Sequence, residues 1–312
     1  MILSWIVRDA GKSLALIFSR SGGQICARPE GLSSPNHTIY CGNFLGQTQY
    51  IDFLSIFAIP ARITTLDATE LPPSPGPASD TITRVRASAI FEILICSGIP
   101  SQLAVGSMFA LAGFTPFVSG RLSFGYVATL LLLDASILIA LIFWFLRRHG
   151  ERPRDVFLGS RPIGHEIYLG VPMTAVVFMM AVIVLSTARL IAPSLRNLQE
   201  NPLQHLIQTP MQAGLLTIVA AIGGGLREEI QRAFIIHRFE QHLGGAYVGL
   251  MLYSLVFGLG HSLQGWDAVL TTAMLGAFWG YIYIARRSII APVVSHSGFN
   301  AAEIFVYLVS RK

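Results

Sequence analysis

From residue 86 onward the chain is a succession of long apolar runs separated by short polar clusters. The runs cover roughly 87–114, 124–146, 166–191, 211–225, 246–263, 267–285 and 289–309. Most are long enough for a helix across about 30 Å of hydrocarbon, which takes about 20 residues. Spans in lipid must be helical, because lipid offers the backbone no hydrogen-bonding partner. The fourth run is short. Its helical pattern continues through 226–243 to a stop at Gly244-Gly245, which predicts one long helix carrying charged residues near mid-depth. The expected fold is all-α, a polytopic membrane helical bundle of about seven transmembrane helices, with eight as the variant.

Residues 1–85 read differently. Their apolar runs, Leu14 to Phe18 and Phe53 to Ile59, are too short to span a bilayer. The first twenty residues resemble a secretory signal only loosely, since charges interrupt the apolar part. The proline-rich stretch 71–80 predicts a linker, because proline denies a helix its backbone donors. The expected division is an N-terminal extension over 1–85, from a mis-assigned start or a disordered segment, and a membrane domain over 86–312.

Composition sharpens this picture. Only 12% of the 312 residues are charged and 53% are hydrophobic, against about 25% charged in an average soluble domain. The mean hydropathy is +0.58. Disorder, fibrous repeats and an ordinary soluble globule are excluded. The net charge of +5 is best read as basic loops on the cytoplasmic side of a bilayer rather than as a nucleic-acid surface. Arg84, Arg86, Arg147, Arg148, Arg152, Arg154, Arg238, Arg286 and Arg287 all fall on one side if seven spans alternate. That side, which is also the N-terminal one, is expected to be the cytoplasm of a bacterial inner membrane. Arg311 and Lys312 fall on the other side, a minor conflict. Cys26, Cys41 and Cys96 are irregularly spaced and make neither a disulfide framework nor a metal site.

Ionisable groups inside a span are costly and are functional candidates. Glu228 and Glu229 point about 100° apart on a helix, and Arg232 is within reach of either. Two carboxylates in a low dielectric do not both ionise cheaply, a setting that suits a general base. Phe257 and His261 share one face of the fifth run, a turn apart, and His296 and Asn300 share one face of the seventh. An imidazole and an amide together are able to donate hydrogen bonds to a developing oxyanion. Glu92, Asp134 and Glu303 are single acids without a patterned partner. Gly276 and Gly280, spaced GxxxG, are read as helix packing. Taken singly, each feature has a plain alternative: an interfacial charge cluster for Glu228, Glu229 and Arg232, and polar glue between helices for His261 and His296.

Taken together, a Glu pair, FxxxH and HxxxN in this order resemble the CPBP family of intramembrane proteases, which includes CAAX prenyl endopeptidases of the Rce type and bacterial Abi proteins. The likeness covers roughly 210–305. One departure stands out: the family usually has its Arg four residues after the second Glu, as EExxxR, and here Arg232 comes one residue early.

The resemblance implies peptide-bond hydrolysis in or near the membrane. Glu228 and His261 would activate a water, His296 and Asn300 would stabilise the oxyanion, Glu229 would balance charge with Arg232, and Phe257 would support His261. The substrate would be a peptide or membrane protein, with the lipid bilayer as partner and no nucleic acid. The family has been described both as zinc enzymes and as metal-independent glutamate proteases. Zinc, if used, would be held by Glu228, His261 and His296, and the metal-independent mechanism is preferred. The alternatives are a non-proteolytic membrane scaffold or immunity-type protein that keeps the fold, and a transporter with the Glu pair as a proton relay.

Overall fold

The computed structural model describes residues 78–118, 121–198 and 206–310. The N-terminal extension up to residue 77, with Cys26 and Cys41, lies outside them, as do Arg311 and Lys312. The described residues form α1 (Ala78–Ile95), α2 (Ile99–Leu111), α3 (Phe124–Arg148), α4 (Pro153–Phe157) and α5 (Ile163–Ile191). There follow α6 (Pro210–Ala220), a π-helical segment (Ala221–Arg227), α7 (Glu228–His242), α8 (Ala246–Leu259), α9 (Trp266–Arg286) and α10 (Ile290–Ser310). A two-stranded ribbon, Phe117–Val118 against Arg121–Leu122, joins α2 to α3.

Among the described residues three helices, α3, α5 and α9, are long and apolar enough to cross a membrane, and α1 with α2 reaches that measure only as a pair bent by 41°, the form of a broken span or a re-entrant loop. The remaining members of the expected seven fall short of that measure for local reasons. Apolar α8 has only 14 residues. The fourth run is helical throughout from Pro210 to His242, as expected, but its second half is polar. The last helix carries His296, Asn300 and Glu303 among its apolar residues.

Helix ends follow local chemistry. Thr209 and Gln212 form a reciprocal capping box at the start of α6, with Pro210 in the first turn where its missing N–H costs nothing. Ser123 caps α3, and Arg147 and Arg148 close it, where the helix dipole and the interface both favour cations. The bend between α1 and α2 falls at Gly98, whose φ of 86° is open to glycine at little cost.

The distribution of polarity is inverted relative to a soluble protein. The most polar helix, α7, is the most enclosed, with every residue from Glu229 to Ile236 buried. The apolar helices face outward, and Leu103, Met179 and Phe305 are each about three-fifths exposed or more. A large outward apolar surface around a polar centre is what lipid surroundings require. The chain is an integral membrane protein by this pattern.

Two apolar clusters flank α7. One joins Leu138, Ile142 and Leu146 of α3 to Phe234 and Ile236 of α7 and Leu250, Tyr253 and Phe257 of α8. The other joins Val177, Ala181 and Leu185 of α5 to Trp279 of α9 and Phe299 of α10. Helices in the second cluster close on glycines: a Cβ at Gly170 would lie 2.7 Å from Val294, and one at Gly298 would lie 2.6 Å from Thr174. The GxxxG pair is packing, as read from the sequence. Gly276 receives the Phe257 ring, and Gly280 receives Leu250 and the Arg232 stem.

Glu92, which the sequence left single, has partners. Glu92 accepts from Arg238 Nε at 2.8 Å and from His149 at 2.6 Å. Arg238 also bridges to Glu151, which in turn takes His237. This fork ties α1, the loop after α3, and the end of α7.

Candidate active site

Between the two clusters the three sequence motifs come together, from α7, α8 and α10. The run Gly223-Gly224-Gly225 lies in the π-helical segment directly before the Glu pair. Without Cβ atoms these residues admit α10 at close range. A Cβ at Gly224 would stand 2.5 Å from Asn300 Nδ2 and 3.9 Å from His296 Nε2, and one at Gly225 would collide with the Ser297 hydroxyl. π turns leave backbone carbonyls poorly matched. Here Asn300 Nδ2 donates to the Ala220 carbonyl at 3.2 Å, and the Ser297 hydroxyl to that of Ala221 at 3.4 Å.

The two glutamates occupy different environments. Glu229 is 1% exposed, pairs with Arg232, and accepts from His296 Nδ1 at 2.8 Å. Arg232 is fully buried, with its guanidinium 4.7 Å from the Phe257 ring and 5.6 Å from that of Trp279. The early position of Arg232 is thus no obstacle, because three residues along a helix bring it onto Glu229. Glu228 retains 17% side-chain exposure, and its Oε2 lies 3.8 Å from His296 Nε2. That oxygen is buried and has no hydrogen-bond partner among the described residues.

His296 is held on three sides. Its Nδ1–H is given to Glu229, its ring stacks on Trp279 at 3.9 Å and 14°, and Phe257 meets it edge-on at 6.4 Å. Trp279 is fixed in turn by its own N–H to the Ser295 hydroxyl at 2.9 Å. His261 is set less tightly. Its Nδ1–H donates to the Phe257 carbonyl at 2.8 Å, which leaves Nε2 as the free ring nitrogen. The Phe257 ring lies 4.9 Å from it. Among the described residues His261 has no polar contact with Glu228.

Residues 210–302 match the family model described as type II CAAX prenyl endopeptidase Rce1-like. This segment is Rce1-like. It runs from the first turn of α6 through Ala302 in α10, so it contains the Glu pair, FxxxH and HxxxN, and it supports assignment to the CPBP/CAAX protease family. No curated protein and no solved structure matches the chain. The activity carried by the Rce1-like family is that of a protease.

Zinc was one candidate cofactor. Among the described residues no three His, Cys, Asp or Glu side chains are gathered at metal-ligand spacing. Glu228, His261 and His296 do not converge as a ligand trio, so no step below runs through a metal. Trp279, Gly224 and Gly225 went unremarked in the sequence as parts of the site. The triple glycine inside an apolar helical run is a readable signal of close approach. Trp279 had no such signal, since its role depends on α9 and α10 lying side by side.

Proposed function

We propose that this protein is an intramembrane endopeptidase of the CAAX-protease type, with Glu228 as general base. The observation that carries the reading is the contrast within the Glu pair. Glu229 accepts from both Arg232 and His296 through Oε1, whereas Glu228 accepts no hydrogen bond among the described residues and its buried Oε2 lies 3.8 Å from His296 Nε2. A gap of that length between two polar groups suits a bridging water. A desolvated, free carboxylate is a stronger base than a solvated one.

In this mechanism Glu228 takes a proton from a water that His261 Nε2 also holds, and the oxygen attacks the scissile carbonyl carbon. The carbonyl becomes an oxyanion, which His296 and the second N–H of Asn300 stabilise by hydrogen bonds. The proton on Glu228 then passes to the leaving amine as the tetrahedral intermediate collapses. Glu229 fixes the His296 ring by accepting its Nδ1–H, and Arg232 balances the charge of Glu229. The Arg-rich ends at 147–154 and 286–287 face the cytoplasm of a bacterial inner membrane, with the start of α1 on the same side. The substrate is a peptide or a membrane protein segment.

The test is hydrolysis of a quenched fluorescent peptide library by the purified protein in detergent, beside Glu228→Gln and His261→Ala, with and without a chelator. Cleavage by the parent and none by Glu228→Gln, at equal thermal stability, is expected. Undiminished cleavage by Glu228→Gln would sink the assignment. No cleavage by a folded parent would favour the scaffold alternative.

A further inference from the structure

Arg227 stands directly before the proposed base and has no part in the chemistry above. It is 8% exposed, and its Nη2 lies 2.8 Å from Asp134 Oδ2 on α3. Asp134, 1% exposed, is itself gripped by α2: the Ser101 hydroxyl donates to Oδ1, and Gln102 donates to Oδ2 at 3.4 Å. Gly98, at the bend of the first span, makes room for the cation, since a Cβ there would overlap the guanidinium. One turn along α7, Gln231 donates to the Cys96 carbonyl at 2.7 Å and accepts from the Tyr253 hydroxyl at 3.2 Å. A buried polar network therefore runs from the break between α1 and α2, through α3, to the residue adjoining Glu228.

The network leaves polar atoms without hydrogen bonds. Arg227 Nε is buried and has no partner among the described residues, and the same is true of Glu228 Oε2. A cation whose ion pair, among the described residues, is with Asp134, and a carboxylate that accepts no hydrogen bond among them, thus sit on consecutive residues. A buried guanidinium stripped of its carboxylate is left uncompensated, which favours its turning to another anion. The carboxylate that adjoins Arg227 in sequence is that of Glu228.

We infer that Asp134 is a positioning residue that holds Arg227 away from Glu228 and so keeps the base free. The inference rests on the reading of Glu228 as the base. Paired with Arg227, Glu228 would be a hydrogen-bonded carboxylate, turned from the water and weakened as a proton acceptor. Asp134→Asn keeps the shape and much of the hydrogen bonding but loses the charge that retains Arg227.

The experiment is a mutant cycle on the full chain in detergent, using a peptide the parent cleaves. Asp134→Asn should lower kcat by about tenfold or more with KM within about twofold, the signature of lost transition-state stabilisation. Asp134→Glu should keep most of the activity. In Asp134→Asn/Arg227→Gln, kcat should return to the level of Arg227→Gln alone, because the intruding cation is gone. A merely structural role predicts a double variant no better than the worse single one, and that result would overturn the inference. A second reading needs no cleavage: labelling of Glu228 by a hydrophobic carbodiimide, quantified on the peptide by mass spectrometry. Asp134→Asn should slow it and the double variant should restore it. If the parent cleaves, Glu228→Gln does not, and Asp134→Asn matches the parent in kcat and labelling, the inference fails while the protease stands. If the parent never cleaves, the protease reading fails, and the labelling cycle alone still decides whether Asp134 restrains Arg227.

Discussion

Arg232→Met should destabilise the protein more than any surface change. The pair it breaks is enclosed, with Arg232 0% and Glu229 1% exposed. Removing one partner of a buried ion pair costs about 3–5 kcal/mol, because the other charge is left uncompensated. The guanidinium also lies 4.7 Å from Phe257, 5.5 Å from Tyr253 and 5.6 Å from Trp279. Contacts of this kind, when desolvated, contribute about 1 kcal/mol or more. Methionine refills most of the volume of the stem, so a cavity adds little. The sum is about 4–6 kcal/mol, which at about 2 °C per kcal/mol for a chain of this size lowers Tm by about 8–12 °C. The assay is differential scanning fluorimetry in one detergent at one scan rate, since unfolding of such proteins is often irreversible. Arg232→Met/Glu229→Gln removes the stranded charge and should recover at least half of the loss. A single variant within about 2 °C of the parent, or a double variant no better than the single, would refute the claim that this pair is held by mutual charge compensation.

Other consequences are as direct. Gly224→Ala places a Cβ against the Asn300 amide; kcat should fall about tenfold or more while Tm moves little, because the amide is displaced from the oxyanion. Trp279→Leu removes the platform under His296 and should cost about 1 kcal/mol of transition-state stabilisation, read as about a fivefold drop in kcat/KM. Glu151 lies in the loop after α3. Burial pushes its carboxyl up, but the bonds from Arg238 and His237 more than offset this and hold it below the ordinary glutamate value of 4.5. A depressed carboxyl contributes stability above its unfolded value that is lost as pH falls through the folded one. Tm of the parent should therefore decline below about pH 4.5, and Glu151→Gln should flatten that acid limb.

Much of the candidate site was legible because its members are local motifs. The Glu pair, Phe257 with His261, and His296 with Asn300 each share a helix, and helical spacing alone puts each set on one element. The continuity of residues 210–242 was also readable, and it brings Glu228 up from the helix end toward His296. Which glutamate is free was not readable, since it depends on where α10 docks. Asp134 and Arg227 are joined across 93 positions of sequence (227 minus 134), and no periodicity links such distant residues. The span count of seven is not reproduced by helix length and composition for a related reason. Hydropathy marks α8 as apolar but not as short, and a polar helix such as α7, enclosed by its neighbours, gives no hydropathy signal of its own.

The π-helical turn has a consequence for how the protein meets its membrane. Asn300 and Ser297 are pinned to the carbonyls of Ala220 and Ala221. A slide of α10 by one helical turn, about 5.4 Å, would strip both pins at once and drive the Ser297 side chain past Gly225. The relative height of the proposed base and the proposed oxyanion donors is therefore set from within, like a depth gauge cut into the protein, and not by the lipid. A thinner or thicker bilayer has to be accommodated by the outer helices, with the 41° bend between α1 and α2 as the natural hinge. Cleavage rates in vesicles of graded acyl-chain length should then stay level, while labels on α2 report a changing tilt.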